Sequence, residues 1–140
     1  MKKAVIVSGY FNPLHKGHIE YFKLAKKKGD ILIAIVNSDK QQELKGSKKF
    51  MLEDERLLII GELKIVDKVF LSIDIDRSVC KTIGKIHSMF SSTHTLFFAN
   101  GGDQNIETAP EVEVCKNLGI SFLDGLGDKI QSSSWLLDKK

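Results

Sequence analysis

The chain has 140 residues, of which 42% are hydrophobic and 28% are charged, and its formal net charge is +3. This composition is typical of a soluble globular protein and predicts one domain over residues 1–140, with a core that needs no disulfide or structural metal. The sequence argues against two classes of protein. No run approaches the 18 apolar residues of a membrane-spanning helix, and no basic stripe interleaved with aromatics indicates a nucleic-acid-binding protein.

The cysteines and the first apolar run favour a cytoplasmic protein. Cys80 and Cys115 lie far apart without CxxC spacing, which is typical of reduced core thiols rather than of a metal or redox site. The apolar run Ala4–Val7 ends at Ser8-Gly9 and is shorter than the apolar region of a secretion signal. We therefore expect a cytoplasmic location and no membrane insertion.

Apolar runs alternate with amphipathic segments along the chain. In chain order we predict a strand at Ala4–Val7, a helix at Ile19–Lys28, a strand at Ile31–Val36, a helix at Leu52–Leu63, a strand at Lys68–Ser72, a helix at Arg77–Phe90, a strand at Thr95–Ala99, a helix at Glu111–Leu118, a strand at Ile120–Leu123 and a terminal helix at Ser132–Lys140. The polar stretch Lys40–Lys49 has no clean period and predicts a mobile, basic loop. Strands separated by helices predict an α/β fold, a Rossmann-like three-layer sandwich with a five-stranded parallel sheet. Ligands bind beyond the carboxyl ends of strands in such sheets.

The loop after the first strand contains two histidines, His15 and His18, on either side of Gly17. Gly9 permits a close approach of the main chain to a ligand, and Gly17 leaves room for a phosphate chain. His18 is expected in the first turn of the next helix, where free N–H groups and the helix dipole favour anions. Two imidazoles there can donate hydrogen bonds to phosphoryl oxygens in an in-line displacement, and we predict His15 and His18 as catalytic.

The string Phe11-Asn12-Pro13-Leu14-His15-Lys16-Gly17-His18 resembles the HxGH signature of the nucleotidyltransferase superfamily. That superfamily includes cytidylyltransferases acting on glycerol 3-phosphate, choline phosphate or ethanolamine phosphate, heptose-phosphate nucleotidyltransferases, and mononucleotide adenylyltransferases. The resemblance implies that the loop binds a nucleotide through Gly9, Tyr10, Phe11, Asn12 and Gly17. The Asn-Pro pair is more typical of the adenylyltransferases, which leaves ATP open as the donor.

The segment after the second strand resembles the cytidylyltransferase segment in which a Ser/Thr-Asp turn precedes lysines and an arginine. Here it comprises Asn37-Ser38-Asp39, Lys45, Lys48 and Arg56. By this resemblance Lys45, predicted as catalytic, contacts the transferring and accepting phosphates, Lys48 is the second phosphate contact, and Arg56 clamps the triphosphate. Lysines on a flexible loop can close over phosphates and neutralise them. Lys49 is expected to be a solvated surface charge.

Two further segments resemble the nucleotide-binding turns of the same enzymes. The turn after the fourth strand is similar to a Gly-Gly-Asp turn of the heptose-phosphate group, and Asp103 can accept from the amino group of cytosine. The serines that open the last predicted helix resemble an Ile-Ser-Thr-Thr segment, whose hydroxyls and N–H groups can cradle an anion. The residues implied in nucleotide binding are Gly102, Asp103, Gln104, Ser132, Ser133 and Ser134.

These resemblances span Gly9 to Leu136 and imply a cytidylyltransferase. The implied enzyme transfers CMP from CTP to a polyol, sugar, amino-alcohol or amino-acid-amide phosphate and releases pyrophosphate. Mg²⁺ is expected as the cofactor, held through the triphosphate rather than by protein ligands, and a homodimer is implied. By analogy the product supplies surface polysaccharide or lipid synthesis. Two alternatives remain open, namely an adenylyltransferase that uses ATP and a non-catalytic nucleotide-binding module.

Overall fold

The computed structural model describes residues 1–101 and 109–126, in which five strands alternate with helices. The elements are β1 Lys2–Gly9, α1 Lys16–Lys26, β2 Ile31–Val36, α2 Asp39–Lys45, α3 Glu53–Gly61, β3 Lys68–Leu71, α4 Cys80–Phe90, β4 His94–Gly101, α5 Ala109–Leu118 and β5 Ser121–Leu126. All five predicted strands and the four predicted helices within this range are confirmed, with ends that differ by at most three residues. The predicted helix Ser132–Lys140 lies outside the described residues.

The five strands are all parallel and lie in the order β3-β2-β1-β4-β5, which confirms the Rossmann-like α/β fold. The chain runs outward from the central β1 through β2 to β3, and then returns to the other side of β1 for β4 and β5. The direction of winding therefore reverses between β1 and β4, and open α/β sheets bind ligands at the carboxyl ends of the strands beside such a reversal. The loop after β1 lies at this point.

The central strand is apolar on both faces because helices cover both faces of the sheet. Ala4 and Ile6 of β1 belong to the core that α4 and α5 cover, whereas Val5 and Val7 belong to the core that α1 and α3 cover. Complete burial of one such valine or isoleucine side chain stabilises the fold by about 1.5–3 kcal/mol. Cys115 is buried in the first core, as predicted for a core thiol. The loop after β1 thus extends from a firmly packed strand.

The stretch Lys40–Lys49 is not the predicted mobile loop, because its first half is helical, in α2 at Asp39–Lys45. Ser38 caps this helix: its hydroxyl accepts from the N–H of Gln41 at 3.2 Å, and Gln41 Oε1 accepts from the N–H of Ser38 at 3.0 Å. This reciprocal capping box satisfies two N–H groups that a helix start leaves without partners. Gly46, with a φ of 82°, then ends the helix. The Ser-x-x-Gln spacing is the sequence signal for this cap.

Candidate active site

Two histidines form the N-terminal cap of α1, directly after the loop that follows β1. His15 is the capping residue, and its Nδ1 accepts a hydrogen bond from the N–H of Gly17 at 3.0 Å. His18 lies in the first turn, and its Nδ1 accepts from the N–H of His15 at 3.0 Å. The two rings stack with their centroids 3.9 Å apart. The structure therefore brings together the two histidines predicted as catalytic and makes Gly17 a donor within the same cap.

The cap determines the tautomer of both imidazoles. Because each Nδ1 accepts a hydrogen bond, the ring hydrogen of each neutral imidazole is on Nε2. Each ring consequently carries its N–H at Nε2, at the N-terminus of a helix, where the helix dipole already favours negative charge. The histidine cap, as we call His15 and His18 together, is an arrangement suited to donating hydrogen bonds to an anion.

Phe11 packs against His18, and Gly9 leaves room for the Phe11 ring. Phe11 has a φ of 52° and is 2% exposed, and its ring packs edge-to-face on His18 with centroids 5.0 Å apart. A Cβ at Gly9 would lie 2.8 Å from the Phe11 ring, so residue 9 can carry no side chain while this ring is in place. The Phe11 ring is buried in the core against α1, and nucleotide contact by Phe11 stays a prediction.

Lys45 and Tyr10, two of the predicted site residues, lie side by side. Lys45 is the last residue of α2, and its Nζ lies over the ring of Tyr10, 4.4 Å from the ring centroid. Such cation–π contacts contribute about 0.5–1 kcal/mol at exposed sites. The contact joins the loop after β1 to the helix after β2, and it places Lys45 at a helix end rather than on a mobile loop.

Asn12 joins the loop after β1 to the segment between α2 and α3. Its Nδ2 donates to the carbonyl of Lys48 at 2.8 Å, and its Oδ1 accepts from the N–H groups of Phe50 at 2.9 Å and Met51 at 2.7 Å. These three contacts are all with the main chain. The amide of Asn12 therefore supports a loop, while nucleotide contact by Asn12 or by the Lys48 side chain stays a prediction.

Arg56 is completely buried beneath these loops. Its guanidinium donates to the carbonyl oxygens of Met51 at 2.9 Å, Tyr10 at 2.9 Å and Asn37 at 2.6 Å, and to the carboxylate of Asp39 at 2.9 Å. Four of its five N–H donors are thus engaged. The prediction that Arg56 clamps the triphosphate is not supported, because the side chain is inaccessible and its donors point at protein oxygens. Arg56 instead joins the loops after β1 and β2.

Gln41 is a site residue that the sequence analysis did not single out. Its side chain is fully buried, and besides capping α2 its Nε2 donates to the carbonyls of Asp76 and Ser78, both at 2.7 Å. It therefore connects α2 to the segment between β3 and α4. The Ser-x-x-Gln signal predicts its capping role, but a contact with residues more than 30 positions away has no local signature.

Some predicted contacts cannot be placed on this fold. Gly102, Asp103, Gln104, Ser132, Ser133 and Ser134 lie outside the described residues. Across 1–101 and 109–126, no group of three or more histidine, cysteine, aspartate or glutamate side chains is arranged to hold a metal ion. The same two ranges contain no helix with the length and apolar character needed to cross a membrane.

The sequence model of one protein family, described as cytidylyltransferase-like, matches residues 6–118. That match covers most of the chain, including the second half of β1, the histidine cap and Arg56. The chain belongs to the cytidylyltransferase-like family. Among solved structures, a lipopolysaccharide core biosynthesis protein from Thermoplasma volcanium superposes with a TM-score of 0.70 at 30% sequence identity, covering 89% of this chain and 94% of that one.

Several curated proteins are similar to this cytidylyltransferase-like chain. The FAD synthases of Thermoplasma volcanium and Picrophilus torridus are 40% and 30% identical to it, each over 84% of this chain, which spans 76% and 78% of their lengths. The bifunctional protein HldE of Citrifermentans bemidjiense is 33% identical over 99% of this chain. This chain spans only 27% of that HldE protein.

The histidine cap of this family member gives the fold a specific dependence on pH. Burial, and next the neighbouring His15, lower the pKa of His18 from 6.5 to about 3. Between pH 6.5 and 3 the unfolded chain therefore binds more protons than the folded one, so stability falls as the pH is lowered through this interval, by at most about 1.4 kcal/mol per pH unit. We expect the free energy of unfolding, measured in urea at pH 7 and pH 5, to change less in His18→Asn than in the unsubstituted protein. His94→Asn should retain the original change, and an equal change in both variants would contradict the assignment.

The three bonds of Asn12 predict a difference between two substitutions. Asn12→Asp keeps the acceptor for Phe50 and Met51 but sets a carboxylate oxygen against the carbonyl of Lys48, so we expect a loss of about 1–2 kcal/mol in the free energy of unfolding. Asn12→Ala removes all three bonds. Hydrogen exchange should show that the amides of residues 50 and 51 stay protected in Asn12→Asp and lose protection in Asn12→Ala. Equal protection in the two variants would contradict this role, and Asn117→Asp, on the exposed side of α5, is the control.

Proposed function

We propose that this protein is a nucleotidyltransferase that joins the nucleotidyl group of a nucleoside triphosphate to a phosphorylated small molecule and releases pyrophosphate. The observation that carries the proposal is the histidine cap, which presents two Nε2–H donors at a helix N-terminus beside the reversal point of the sheet. Membership of the cytidylyltransferase-like family supports the same reaction class.

The reaction requires stabilisation of charge more than acid–base chemistry. An oxygen of the acceptor phosphate forms a bond to the α-phosphorus while the bond from that phosphorus to the bridging oxygen breaks, and the electron pair of the broken bond leaves with pyrophosphate. A phosphate monoester has a second pKa of about 6 and is mostly a dianion at neutral pH, so it needs no general base. In this proposal His15 and His18 donate to the oxygens of the reacting phosphoryl group, and Lys45 adds positive charge.

Mg²⁺ is proposed to enter with the triphosphate rather than to reside on the protein. Both Nδ1 atoms of the histidine cap accept hydrogen bonds from N–H groups, which leaves them unsuited to coordinate a metal. In the part of the chain that the structure describes, the acidic side chains do not form a metal-binding cluster. The oxygens of a nucleoside triphosphate are ligands that Mg²⁺ prefers, and the ion would neutralise charge on the departing pyrophosphate.

Two nucleoside triphosphates, CTP and ATP, fit the family as the nucleotidyl donor, and a different observation favours each. The motifs of this sequence resemble those of cytidylyltransferases and predict CTP. The relatives named FAD synthase form a product that contains an adenylyl group, which favours ATP, and their similarity extends over 84% of this chain. We therefore expect ATP to be the better donor and keep CTP as the second candidate. Base contacts by Asp103 and Gln104 are part of the proposal.

The acceptor is proposed to be a phosphate monoester. Polyol, sugar, amino-alcohol and amino-acid-amide phosphates follow from the motifs, and FMN follows from the name of the FAD synthases. The similarity to a lipopolysaccharide core biosynthesis protein favours a sugar phosphate destined for a surface polysaccharide. All of these acceptors present the same dianionic group to the histidine cap, so one assay format covers them.

The test is turnover with a matrix of donors and acceptors. Purified protein with Mg²⁺ is incubated with ATP, CTP, GTP or UTP and each acceptor, pyrophosphate is quantified, and mass spectrometry identifies the joined product so that simple hydrolysis is not counted. Transfer from ATP or CTP identifies the donor and the acceptor together. Nucleotide binding without any joined product would overturn the proposal in favour of a non-catalytic module. Light scattering on the same preparation measures whether the protein is the homodimer that the family resemblance implies.

A further inference from the structure

Arg77 is an exposed cation that the proposed reaction does not yet use. It lies on the segment between β3 and α4, and its side chain is exposed. Burial raises the pKa of Tyr10, and the positive charge of the nearby Arg77 acts in the opposite direction. The geometry agrees, because α2 contacts both segments: its Gln41 donates to the carbonyls on either side of Arg77, and its Lys45 lies over the ring of Tyr10. Arg77 is therefore close to Tyr10, in the loop that leads to the histidine cap.

The main chain on both sides of Arg77 is held by short hydrogen bonds. The fully buried Gln41 donates through one amide nitrogen to the carbonyls of Asp76 and Ser78, the two neighbours of Arg77, both at 2.7 Å. The carboxylate of Asp76 in turn accepts from the N–H of Ser78 at 2.9 Å and from its hydroxyl at 2.7 Å. A main chain held this firmly fixes the point from which the Arg77 side chain extends, which reduces the backbone entropy lost when that side chain binds a ligand.

Two cations consequently meet at one tyrosine ring. Lys45 lies over the face of Tyr10, and the positive charge of Arg77 acts on its hydroxyl. Within 1–101 and 109–126 the ion pairs are Lys26–Asp67, Lys49–Glu43 and Arg56–Asp39, so the guanidinium of Arg77 is not neutralised by a carboxylate there. A planar guanidinium without a carboxylate partner is suited to two parallel hydrogen bonds with a phosphoryl group.

The position of Arg77 points to the acceptor rather than to the nucleotide. Arg77 approaches Tyr10 from the segment that follows β3, whereas the nucleotide contacts proposed at Gly102–Gln104 follow β4, which lies on the other side of β1 in the sheet. The histidine cap, which follows β1, stands between these two strands in the sheet order. Two substrates that meet at the histidine cap would approach it from these two sides.

We propose that Arg77 binds the phosphate of the acceptor through its guanidinium, beside the Tyr10 hydroxyl, and thereby selects acceptors that carry a phosphate monoester. The proposal rests on the proposed function for the identity of the reaction, but the anion site itself does not depend on turnover. Gln41 is a positioning residue for Arg77. A substrate with a neutral group in place of the phosphate would lose both the nucleophile and this contact.

The first test uses the fact that the chain contains two arginines, Arg56 and Arg77. In a ¹⁵N-labelled sample the two Nε–Hε signals are titrated with inorganic phosphate at constant ionic strength, and Arg77→Lys identifies the Arg77 signal by its loss. We expect a saturable shift of the Arg77 signal and little change at the buried Arg56. An unmoved Arg77 signal, or one that moves in the same way when chloride replaces phosphate, would overturn the proposal.

The second test separates the acceptor from the donor in steady-state kinetics. Arg77→Gln should raise KM for the acceptor about 10- to 100-fold, as expected when charged hydrogen bonds are lost, and change kcat and the KM for the nucleotide less than about threefold. Arg77→Lys should lie between, and Lys81→Gln, which removes a nearby exposed charge on α4, should leave all three unchanged. An unchanged acceptor KM in Arg77→Gln would contradict the proposal. If the unsubstituted protein joins no donor to any acceptor, the proposed function fails, and the phosphate titration alone decides on Arg77.

Discussion

Replacing Arg56 with methionine is expected to lower the free energy of unfolding by about 3–5 kcal/mol. The substitution leaves the carbonyls of Tyr10, Asn37 and Met51 without their donor and Asp39 without its ionic partner. The Asp39 side chain is 25% exposed, so water recovers part of that last loss, and most of the cost comes from the carbonyls. Because small proteins are stable by only about 5–15 kcal/mol, urea denaturation should show a large shift of the midpoint.

Two further variants separate the geometry of the guanidinium from its charge. Arg56→Lys keeps the charge but cannot reach four acceptors with one ammonium group, so a smaller loss of about 1–3 kcal/mol is expected. Lys64→Met removes an exposed cation close to α3 and should change stability by less than about 0.5 kcal/mol. A loss below about 1 kcal/mol in Arg56→Met would show that the loops after β1 and β2 do not depend on Arg56.

The strands were predictable because their sequences carry one dominant signal. Ile31–Val36 has no polar residue, and a short apolar run of this kind is typical of a strand that is buried on both faces in a parallel sheet, so β2 has the predicted bounds. Helix α2 was missed because its side chains show no apolar period. Its stability comes from the cap at Ser38 and from Gln41, which is buried against a segment more than 30 residues away. A buried polar side chain of this kind has the same appearance in a sequence as an exposed one.

The site was predictable where chemistry depends on local spacing. The three-residue separation of His15 and His18 places both rings on one helix turn, and the structure confirms that they lie together. Arg56 was misread because an arginine that binds phosphate and an arginine that binds carbonyls are identical in a sequence, and only burial distinguishes them. Arg77 has no local sequence signal for a site, since its position near Tyr10 depends on tertiary contacts of Gln41.

Replacing His15 with asparagine is expected to lower kcat about 100- to 1000-fold while leaving the fold intact, in whichever donor and acceptor pair gives turnover. Asparagine is a preferred helix-capping residue, and its oxygen can accept from the N–H of Gly17 as Nδ1 does now. The imidazole Nε2–H donor is lost. His15→Ala loses the donor and the cap together, so it should lower kcat similarly and also cost about 1 kcal/mol of stability. Steady-state kinetics and urea denaturation of the two variants provide the comparison.

The pair of variants decides whether the histidine cap is catalytic or only structural. A fall in kcat in both variants with little change in KM means that the imidazole acts on the transition state, because an interaction already present with bound substrate would change KM instead. A fall in His15→Ala alone would mean that the cap matters and the imidazole does not, which would remove the observation that carries the proposed function. His94 lies at the amino end of β4, whereas the histidine cap follows the carboxyl end of β1, so His94→Ala should leave kcat unchanged. His18→Asn extends the comparison to the second ring, and similar losses at both positions would indicate that the two Nε2–H donors act on the same phosphoryl group.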